Sequence, residues 1–403
     1  MNSNDIQKKN RMLVFQTLLS SDGMTRSQLA RATKLKKGTI TNIINEFAAK
    51  GIVPPLAENF GDKRGEQISL ALHGIYLMAI SITRRDYQIM IYSLDGKAND
   101  YIKYSFLPNE KLQDSLVRMM EDGKALLKKY DPRRVMDICL TVPGPYMKLK
   151  DGTEVFAVSK FDDFNSINIR SQLEAALGRH IYIVHDTKLC AYAEWQVSPE
   201  VQNGHADSML VVGSRGEGVG CGIVINGKII EGHIGVAGEV GFMGVNYNQP
   251  PDHGGSYMAC ASSESIAHNA ADRLIEFPDT VLSEQSSYED VIKAYRKGDK
   301  LAKAAIRRTA ILLGYGLANI VYMVNPSVII IGADYPSDTD FLDTVKKSMN
   351  RYLLPVIAKN VILRGSTLAS DSFLVGAYYY MASRELEKDD FFERIDAIEN
   401  LDR

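Results

Sequence analysis

The sequence has no long uninterrupted apolar segment, and its apolar side chains are spread over many short stretches. No stretch reaches the roughly 18 residues that a membrane-spanning helix needs. The polar segment from Met1 to Arg11 also lacks the apolar centre of a signal peptide. Only four cysteines occur among 403 residues, and their scatter favours buried reduced thiols over disulfides. These absences predict a cytoplasmic protein without membrane partners.

Net charge is almost absent, at −2, but the two signs are unevenly distributed. Residues 1–72 contain eleven Lys or Arg and six Asp or Glu, so the rest of the chain is acidic. A small basic segment on an acidic body indicates that only this segment contacts a polyanion. The excess is modest, and charge alone does not establish such a contact. A length of 403 residues further predicts two or three domains.

Three amphipathic helices are predicted at the start of the chain, followed by a hairpin. Thr25 is a suitable N-cap for a short helix over residues 26–33. The next helix, over residues 37–50, has apolar side chains at helical spacing, namely Ile40, Ile43, Ile44 and Phe47. Residues 52–56 and the alternating segment 67–72 would form the hairpin. Residues 1–73 are therefore predicted to be a winged helix-turn-helix domain.

Polar and basic side chains on the outer face of this domain are the candidate DNA contacts. A helix-turn-helix presents its second helix to the major groove, where such groups reach base edges or phosphates. An arginine at the tip of the wing could enter a minor groove. Any three-helix module has a polar outer face, but the charge, the tight turn and the wing together favour DNA binding. The candidates are Thr25, Arg26, Lys36, Lys37, Thr39, Thr41, Asn42 and Arg64.

From residue 76 onward, strands and helices alternate in two similar halves. Each half begins with three short strands, and a long helix over residues 301–324 leads into the apolar strand 328–331. This repetition predicts an α/β body that is duplicated around a central cleft. We expect a first lobe over residues 74–186 and a second lobe over residues 187–403, with the C-terminal helix returning to the first lobe.

Taken together, these segments resemble the repressor branch of the ROK family of repressors, open reading frames and sugar kinases. Each motif is weak alone, but their order and spacing are specific. The matching segments are 25–30, 38–44, 94–96, 142–145, 185–186, 216–222, 226–228, 238–241 and 325–326. The resemblance implies a body with the fold of actin and hexokinase. It also implies sugar-responsive repression by a homodimer or homotetramer on double-stranded operator DNA.

The resemblance further implies a sugar pocket in the cleft. Some of the family's pocket residues are present in this sequence, and others are replaced. Asp186 and Glu239 match the family's sugar ligands, whereas Lys160 and His185 stand where the family has asparagines. A cationic group and an imidazole would suit a phosphorylated or acidic sugar. Taken singly, a solvated Lys160 and a His185 packed at a strand end are equally expected. The effector-binding candidates are therefore Lys160, His185, Asp186 and Glu239.

Phosphoryl transfer is not expected, because the first phosphate-binding loop of the family's kinases is altered. Their Asp-x-Gly-Gly-Thr pattern is replaced by a segment with Ser81, Thr83, Arg84 and Arg85 at the corresponding positions. Without the carboxylate and the two glycines, the backbone cannot closely approach a phosphate. In the second loop, Glu217 replaces a threonine and would repel phosphate. The alternative is that the two arginines bind phosphates themselves. We expect no catalytic residue and no cofactor.

A structural zinc ion, which the resemblance also implies, is not expected either. Phe242 replaces the histidine ligand, and only His253 and Cys260 remain from the cysteine cluster. Two ligands do not make a closed tetrahedral site.

The sequence is therefore compatible with three functions. The leading one is a repressor that responds to a sugar or sugar phosphate. The alternatives are a sugar kinase with a DNA-binding head and a regulator released from DNA by a protein partner.

Overall fold

The computed structural model describes residues 3–21, 23–55, 67–72, 74–157, 164–246, 248–251, 254–369, 372–388 and 390–399. The chain begins with three helices, α1 (Ser3–Leu19), α2 (Arg26–Thr33) and α3 (Lys37–Ala49). We refer to residues 3–72 as the head and to the rest as the body. None of the helices in these ranges combines the length and the apolar character that crossing a membrane requires.

Local sequence explains the tight turn between α2 and α3. The Thr25 side chain and Gln28 form a reciprocal capping box that fixes the start of α2. Lys34 ends the helix in the left-handed conformation, with φ of 57°, and the chain re-enters a helix three residues later. The predicted apolar stripe of α3 is buried, as the spacing of Ile40 and Phe47 requires.

The hairpin after α3 differs in part from the prediction. Among the described residues, Ala71 N donates to Ile52 O at 2.9 Å, so the two predicted segments do meet. Ile68, however, forms an antiparallel bridge with Met24. The segment before α2 thus supplies a backbone partner that the alternation of residues 67–72 did not reveal. The wing tip lies outside the described residues.

The first lobe is a five-stranded mixed sheet with two helices on one face. Its elements are β1 (Tyr76–Ile82), β2 (Asp86–Ser93), β3 (Ala98–Ser105), α4 (Leu112–Leu127), β4 (Val135–Val142), β5 (Tyr146–Lys148), β6 (Glu154–Phe156), α5 (Ile169–Leu177) and β7 (Ile181–His185). The order is β3-β2-β1-β4-β7, with β1 antiparallel to β2 and parallel to β4. Because side chains alternate along a strand, Met78 and Ile80 pack with α4 and α5, whereas Leu77 and Ala79 face the opposite side.

The second lobe repeats the same plan. Its elements are α6 (Asp186–Val197), α7 (Pro199–Gln202), β8 (Ser208–Arg215), β9 (Gly218–Ile225), β10 (Lys228–Ile229), α8 (Tyr257–Ala261), α9 (Ser263–Ala271), α10 (Tyr288–Arg296), α11 (Lys300–Val324), β11 (Val328–Ile331), α12 (Thr339–Asn350), α13 (Pro355–Asn360) and β12 (Ile362–Gly365). The strand order, β10-β9-β8-β11-β12, has the same pairing directions as the first sheet. The predicted duplicated α/β body is confirmed.

The last described elements are α14 (Ser372–Glu387) and α15 (Phe391–Glu399). Helices α6 and α14 lie between the two sheets. Helix α14 packs on β1 and β4 of the first sheet, and α6 packs on β8 and β9 of the second. The two helices also contact one another extensively. Both helices begin at the cleft, which Asp186 and Phe373 line, and residues toward their other ends contact the head.

The head core is completed by the C-terminal helix. Phe391 is fully buried, and its ring lies 5.5 Å from that of Phe15 in an edge-to-face arrangement. Phe392 stacks on Phe47 of α3 at 5.7 Å. Apolar residues of the head, of α14 and of α15 therefore form one continuous cluster. Burial of large aromatic side chains dominates such an interface.

Candidate DNA-binding face and effector cleft

The first turn of α3 is exposed and basic. Lys36 is the N-cap residue and Lys37 the first helical residue; both side chains are exposed, as is that of Lys34. This turn contains no acidic residue. Backbone N–H groups without helical partners and ammonium charges both attract anions at a helix N-terminus. The start of α3 is therefore suited to a phosphate of a nucleic acid.

The rest of the outer face of α3 carries amides and hydroxyls. Asn42 and Asn45 are exposed, and Thr39 and Thr41 are half-buried. The Thr41 hydroxyl donates to Lys37 O at 3.0 Å within the helix. Asparagine amides are the groups that read adenine edges, so this face offers the chemistry of base recognition.

The predicted contacts outside α3 are less uniform. The Thr25 hydroxyl accepts from Gln28 N at 3.3 Å and donates to Gln28 Oε1 at 2.9 Å, so it serves the capping box. Arg26 follows it and is half-buried. Arg64, predicted at the wing tip, lies outside the described residues. The structure thus places all the described candidates at the start of α2 or in α3 and its N-cap.

A cleft of about 1880 Å³ separates the two lobes. His185 and Asp186 reach it from the carboxyl end of β7, and Glu239 reaches it from the second lobe. Ligands of α/β proteins commonly bind at the carboxyl ends of parallel strands. Three of the four predicted effector residues are therefore brought together. The fourth, Lys160, lies outside the described residues.

The His185 imidazole lies between two carboxylates. Its Nε2 atom is 3.2 Å from Asp186 Oδ1, and its Nδ1 atom is 3.3 Å from Glu239 Oε1. The side chains of His185 and Asp186 are each 7 % exposed, and that of Glu239 is 15 % exposed. The Glu239 contact lacks hydrogen-bond geometry, since Oε1 has no such partner among the described residues. A buried acceptor without a partner is suited to a ligand hydroxyl.

Burial also controls the ionisation of Glu239. Desolvation raises the pKa of Glu239 to about 7, the nearby Lys188 opposes the rise, and Asp186 adds to it. Lys188 is itself buried and donates to Gly235 O, while burial lowers its pKa. Sequence reasoning missed Lys188. The sequence feature that could have indicated Lys188 is its position two residues after Asp186, within the same helix.

Glycine geometry directs Glu239 into the cleft. Gly238 has φ of +92°, and a Cβ atom there would lie 1.8 Å from Cys221 O. At Gly241, a Cβ atom would lie 2.6 Å from Val219 O. Only glycine permits this close seating of the loop on β9. The Gly-Glu-x-Gly pattern is therefore a backbone requirement that fixes the position of Glu239.

The turn between β1 and β2, where family kinases have their first phosphate loop, is closed on itself. Thr83 N donates to Asp86 O at 2.8 Å, and the Thr83 hydroxyl accepts from Arg85 N and Asp86 N, both at 3.0 Å. Arg85 extends to Glu289 of the second lobe at 3.3 Å. The backbone N–H groups of Thr83, Arg85 and Asp86 are thus already engaged within the turn. They do not form a cradle for phosphate.

The glycines of the second loop have a packing role. A Cβ atom at Gly220 would lie 2.6 Å from Thr187 Oγ1, and one at Gly222 would lie 2.4 Å from Ala191 Cβ. These glycines let α6 approach β9 closely. The carbonyl of Gly216, at the turn, accepts from Glu264 N at 3.2 Å. Close helix packing explains the glycine pattern without a nucleotide.

The residues at the family's zinc position do not fit a zinc ion. The Cys260 thiol donates to Ser256 O at 3.4 Å, and Phe242 stands where the family has its histidine ligand. His253 lies outside the described residues. Among those described, no group of three His, Cys, Asp or Glu side chains is arranged to hold a metal ion.

Phe242 is a site residue that the sequence reasoning treated only as a lost ligand. Its side chain is 61 % exposed although it lines the cleft, three positions after Glu239. An exposed aromatic ring beside buried carboxylates is the combination found in sites that bind small polar molecules with apolar faces. The sequence offers no signal beyond an aromatic residue within a glycine-rich segment.

Comparisons with known proteins agree with this geometry. The sequence profile described as "ROK family" matches residues 77–384. The xylose repressor of Caldicellulosiruptor bescii is 23% identical over 401 residues, covering 92% of this chain and 94% of its own. The DNA-binding transcriptional dual regulator NagC of Escherichia coli is 24% identical, covering 93% of this chain and 92% of its own.

Solved structures share the fold. A crystal structure described as a ROK family transcriptional regulator, homologue of the E. coli MLC protein, has a TM-score of 0.76 at 21% identity, covering 97% of this chain and 99% of its own. A ROK family glucokinase from Streptomyces griseus, in complex with glucose and AMPPNP, has a TM-score of 0.62 at 21% identity. It covers 75% of this chain and 98% of its own. The regulator likeness extends over nearly the full length, whereas the kinase likeness is partial.

Proposed function

Because the chain belongs to the ROK family, we propose that it is a DNA-binding transcriptional repressor controlled by a sugar or sugar phosphate. The observation that carries the proposal is the exposed basic and amide-rich face of α3 on a winged head, joined to a two-lobed body with a polar cleft. Xylose repressors and NagC, which resemble this chain over nine-tenths of its length, support the same function. Such a protein acts where the chromosome is, in the cytoplasm.

In the proposed complex, α3 enters the major groove of the operator. Lys36 and Lys37 bind phosphates at its N-terminus, where charge and helix dipole act together. Asn42, with Thr39 and Thr41, faces base edges. Thr25 and Arg26 contact the backbone from the start of α2, and Arg64 of the wing contacts the minor groove. A homodimer would place two heads on two half-sites.

The proposed effector site is the cleft. Asp186 and Glu239 accept hydrogen bonds from neighbouring sugar hydroxyls, and His185 between them donates or accepts according to its tautomer. Phe242 supplies an apolar wall. Lys160 remains a candidate for an anionic substituent such as a phosphate. The effector controls DNA binding only if it binds one conformation of the two lobes better than the other.

We further propose that the body does not transfer phosphate. The closed turn at Thr83 and the packing role of Gly220 and Gly222 support this proposal, because phosphoryl transfer needs backbone N–H groups that are free to bind phosphate. Glucokinases within the same family make the kinase the natural second candidate. An assay of ATP consumption with hexoses, hexosamines and pentoses separates the two. Turnover above that of the protein-free control would contradict the non-catalytic assignment.

The proposed domain boundaries separate the part that binds DNA from the two lobes that bind the effector. Residues 1–73 are proposed as the DNA-binding domain, 74–186 as the first lobe and 187–403 as the second lobe. A regulator that answers to a protein instead of a sugar would have the same head. It would bind DNA yet show no change in melting temperature with any sugar or sugar phosphate.

The decisive experiment is selection of operator sequences from a random duplex library with the full-length protein. The affinity of the recovered sequence is then measured as a function of salt. A specific site with two similar half-sites, and an affinity that falls steeply with salt, is expected. Release by sugars or sugar phosphates is measured on the same site. Recovery of no preferred sequence, with no binding even at low salt, would overturn the proposal.

A further inference from the structure

Helices α6 and α14 run side by side from the cleft to the head. Asp186, the first residue of α6, and Phe373, near the start of α14, both line the cleft. Toward their other ends, Gln196 of α6 and Ser383 of α14 contact the head. At 1.5 Å per residue, helices of 12 and 16 residues span about 18 and 24 Å. The two helices thus connect the effector cleft with the DNA-binding module.

The packing between these helices is close and parallel. A Cβ atom at Gly376 of α14 would lie 2.0 Å from Leu189 O of α6. About one turn further along both helices, the rings of Tyr192 and Tyr380 meet edge to face at 6.3 Å. Contacts in the same order along both helices establish the parallel direction. Such an interface shifts in small discrete steps because packed side chains do not deform continuously.

The head contacts α14 through Gln16 of α1 and α6 through Ser20, the residue that directly follows α1. Gln16 Nε2 donates to Ser383 Oγ at 3.3 Å, and the hydroxyl of Ser20 donates to Gln196 Oε1 at 2.7 Å. Ser20 N donates to Gln16 O at 3.2 Å, so Ser20 continues the last turn of α1 and lies on the same side as Gln16. The buried Tyr192 hydroxyl lies between the two contact points. Burial raises the pKa of Tyr192, and hydrogen bonds with Ser383 and Gln196 act to lower it.

The two helices are fastened to different lobes. Glu194 of α6 is buried against Arg364 of β12, with 3.6 Å between Oε2 and Nη1, so α6 is tied to the second sheet. On the other side, Glu385 of α14 accepts from Asp137 N of β4, and Lys388 pairs with Asp137 at 2.7 Å. A change in the angle between the lobes would therefore act on the contact between α6 and α14.

We propose that the cluster of Gln16, Ser20, Tyr192, Gln196 and Ser383, here called the relay cluster, transmits movement of the lobes to the head. The inference rests on the proposed function. Since α1 spans both helices, a shift between α6 and α14 on cleft closure tilts α1, and with it α3 on the DNA. Because coupling between two sites is reciprocal, DNA binding at the head also shifts α6 and changes the balance between the open and closed cleft.

Trp195 makes this transmission measurable without knowledge of the effector. It is the only tryptophan of the chain, lies next to Gln196 and is buried with β8 and β11. The probe is a mixed-sequence DNA duplex of about 30 base pairs, long enough for two half-sites, at low ionic strength. Binding of this duplex to the full-length protein is expected to change Trp195 emission.

The test variants are Ser20→Ala, Gln196→Ala and the pair combined. Each is expected to retain duplex affinity within roughly threefold, while the duplex-induced change in Trp195 emission falls by roughly threefold or more. The emission change of the double variant should equal that of either single variant, because both substitutions remove the same contact between Ser20 and Gln196. Thr17→Ala is the matched control, since that hydroxyl bonds to Leu13 O within α1. Gln196→Asn keeps the amide but shortens the side chain, so it tests whether a lost response in Gln196→Ala comes from a folding defect.

The outcomes separate the relay from the proposed function. Wild-type emission that responds to the duplex, with a response lost in the Ser20 and Gln196 variants but kept in Thr17→Ala, supports the relay. A bound duplex that leaves wild-type emission unchanged, or an unaltered response in both variants, overturns the relay alone. A wild-type protein that does not bind the duplex at all overturns the proposed function and the relay with it.

Discussion

Glu239 is the residue whose ionisation depends most directly on the structure of the cleft. Its pKa is about 7 in the folded protein, above its ordinary value of 4.5, because the carboxyl is desolvated. The groups that face it are His185, Asp186 and Lys188. Between these two pKa values the folded state binds more protons than the unfolded state. Stability therefore falls as pH rises from about 4.5 to 7 and then levels off.

Replacement of Glu239 by glutamine should remove this pH dependence. We expect Glu239→Gln to be about 1–3 kcal/mol more stable than wild type at pH 8, since no buried charge remains. Sugar binding should be lost in the same variant, whereas DNA binding should persist. Urea unfolding at several pH values measures the first effect, and thermal shift with sugars measures the second. Superimposable pH profiles of the two proteins would refute the role of Glu239.

Side chains of α3 should divide into two classes when operator binding is measured. Asn42→Ala should cost about 1–3 kcal/mol if the amide reads a base, and the loss should depend on sequence. Lys37→Ala should weaken binding to all sequences and lower the salt slope by about one. Asn203→Ala and Lys150→Ala, exposed positions on the body, are the matched controls. Head variants that behave like these controls would remove α3 from the interface.

At the scale of single elements, Gly38 in α3 is a glycine that the fold does not need. A Cβ atom at this position would meet nothing within 4 Å. Helical glycine is less stable than alanine by up to about 1 kcal/mol. We therefore expect Gly38→Ala to raise the melting temperature slightly. If the helix backbone approaches DNA here, operator affinity should fall in the same variant. A lower melting temperature would contradict this description of α3.

Elements were predictable where local pattern determines them. The helix over residues 37–49 follows from the spacing of its apolar residues, and the start of α2 follows from Thr25 and Gln28. The bridge between Met24 and Ile68 was not predictable, because the two segments are far apart in sequence and the alternation of residues 67–72 does not show which segment pairs with it. Likewise, the glycines at 220 and 222 suggested a phosphate loop. Their packing against α6 emerges only in three dimensions.

At the scale of the whole molecule, the head and the C-terminal helix share one core. We expect Phe391→Ala to destabilise the head by about 3–5 kcal/mol, because a fully buried aromatic ring is lost. Operator binding should weaken accordingly, while the sugar-induced thermal shift of the body is kept. Glu393→Ala, an exposed position on the same helix, is the control. An unchanged operator affinity for Phe391→Ala would show that the head folds without α15.

The duplicated body could be inferred from the repeated strand order, and Asp186 and Glu239 could be located from their motifs. The closure of the head by Phe391 and Phe392 could not, since nothing near either residue indicates a partner more than 300 positions away. Phe242 illustrates the same limit within the cleft. Its exposure depends on the path of the loop, which the position of an aromatic residue in the sequence does not reveal.

The shared core has a consequence for the order of events during synthesis. Residues 3–72 are translated more than 300 residues before Phe391 and Phe392, whose rings complete their core. A nascent or prematurely terminated chain would therefore carry an unfinished head that cannot grip an operator. Operator binding would therefore require synthesis of α15, so each molecule able to bind DNA would already contain both lobes of the effector cleft.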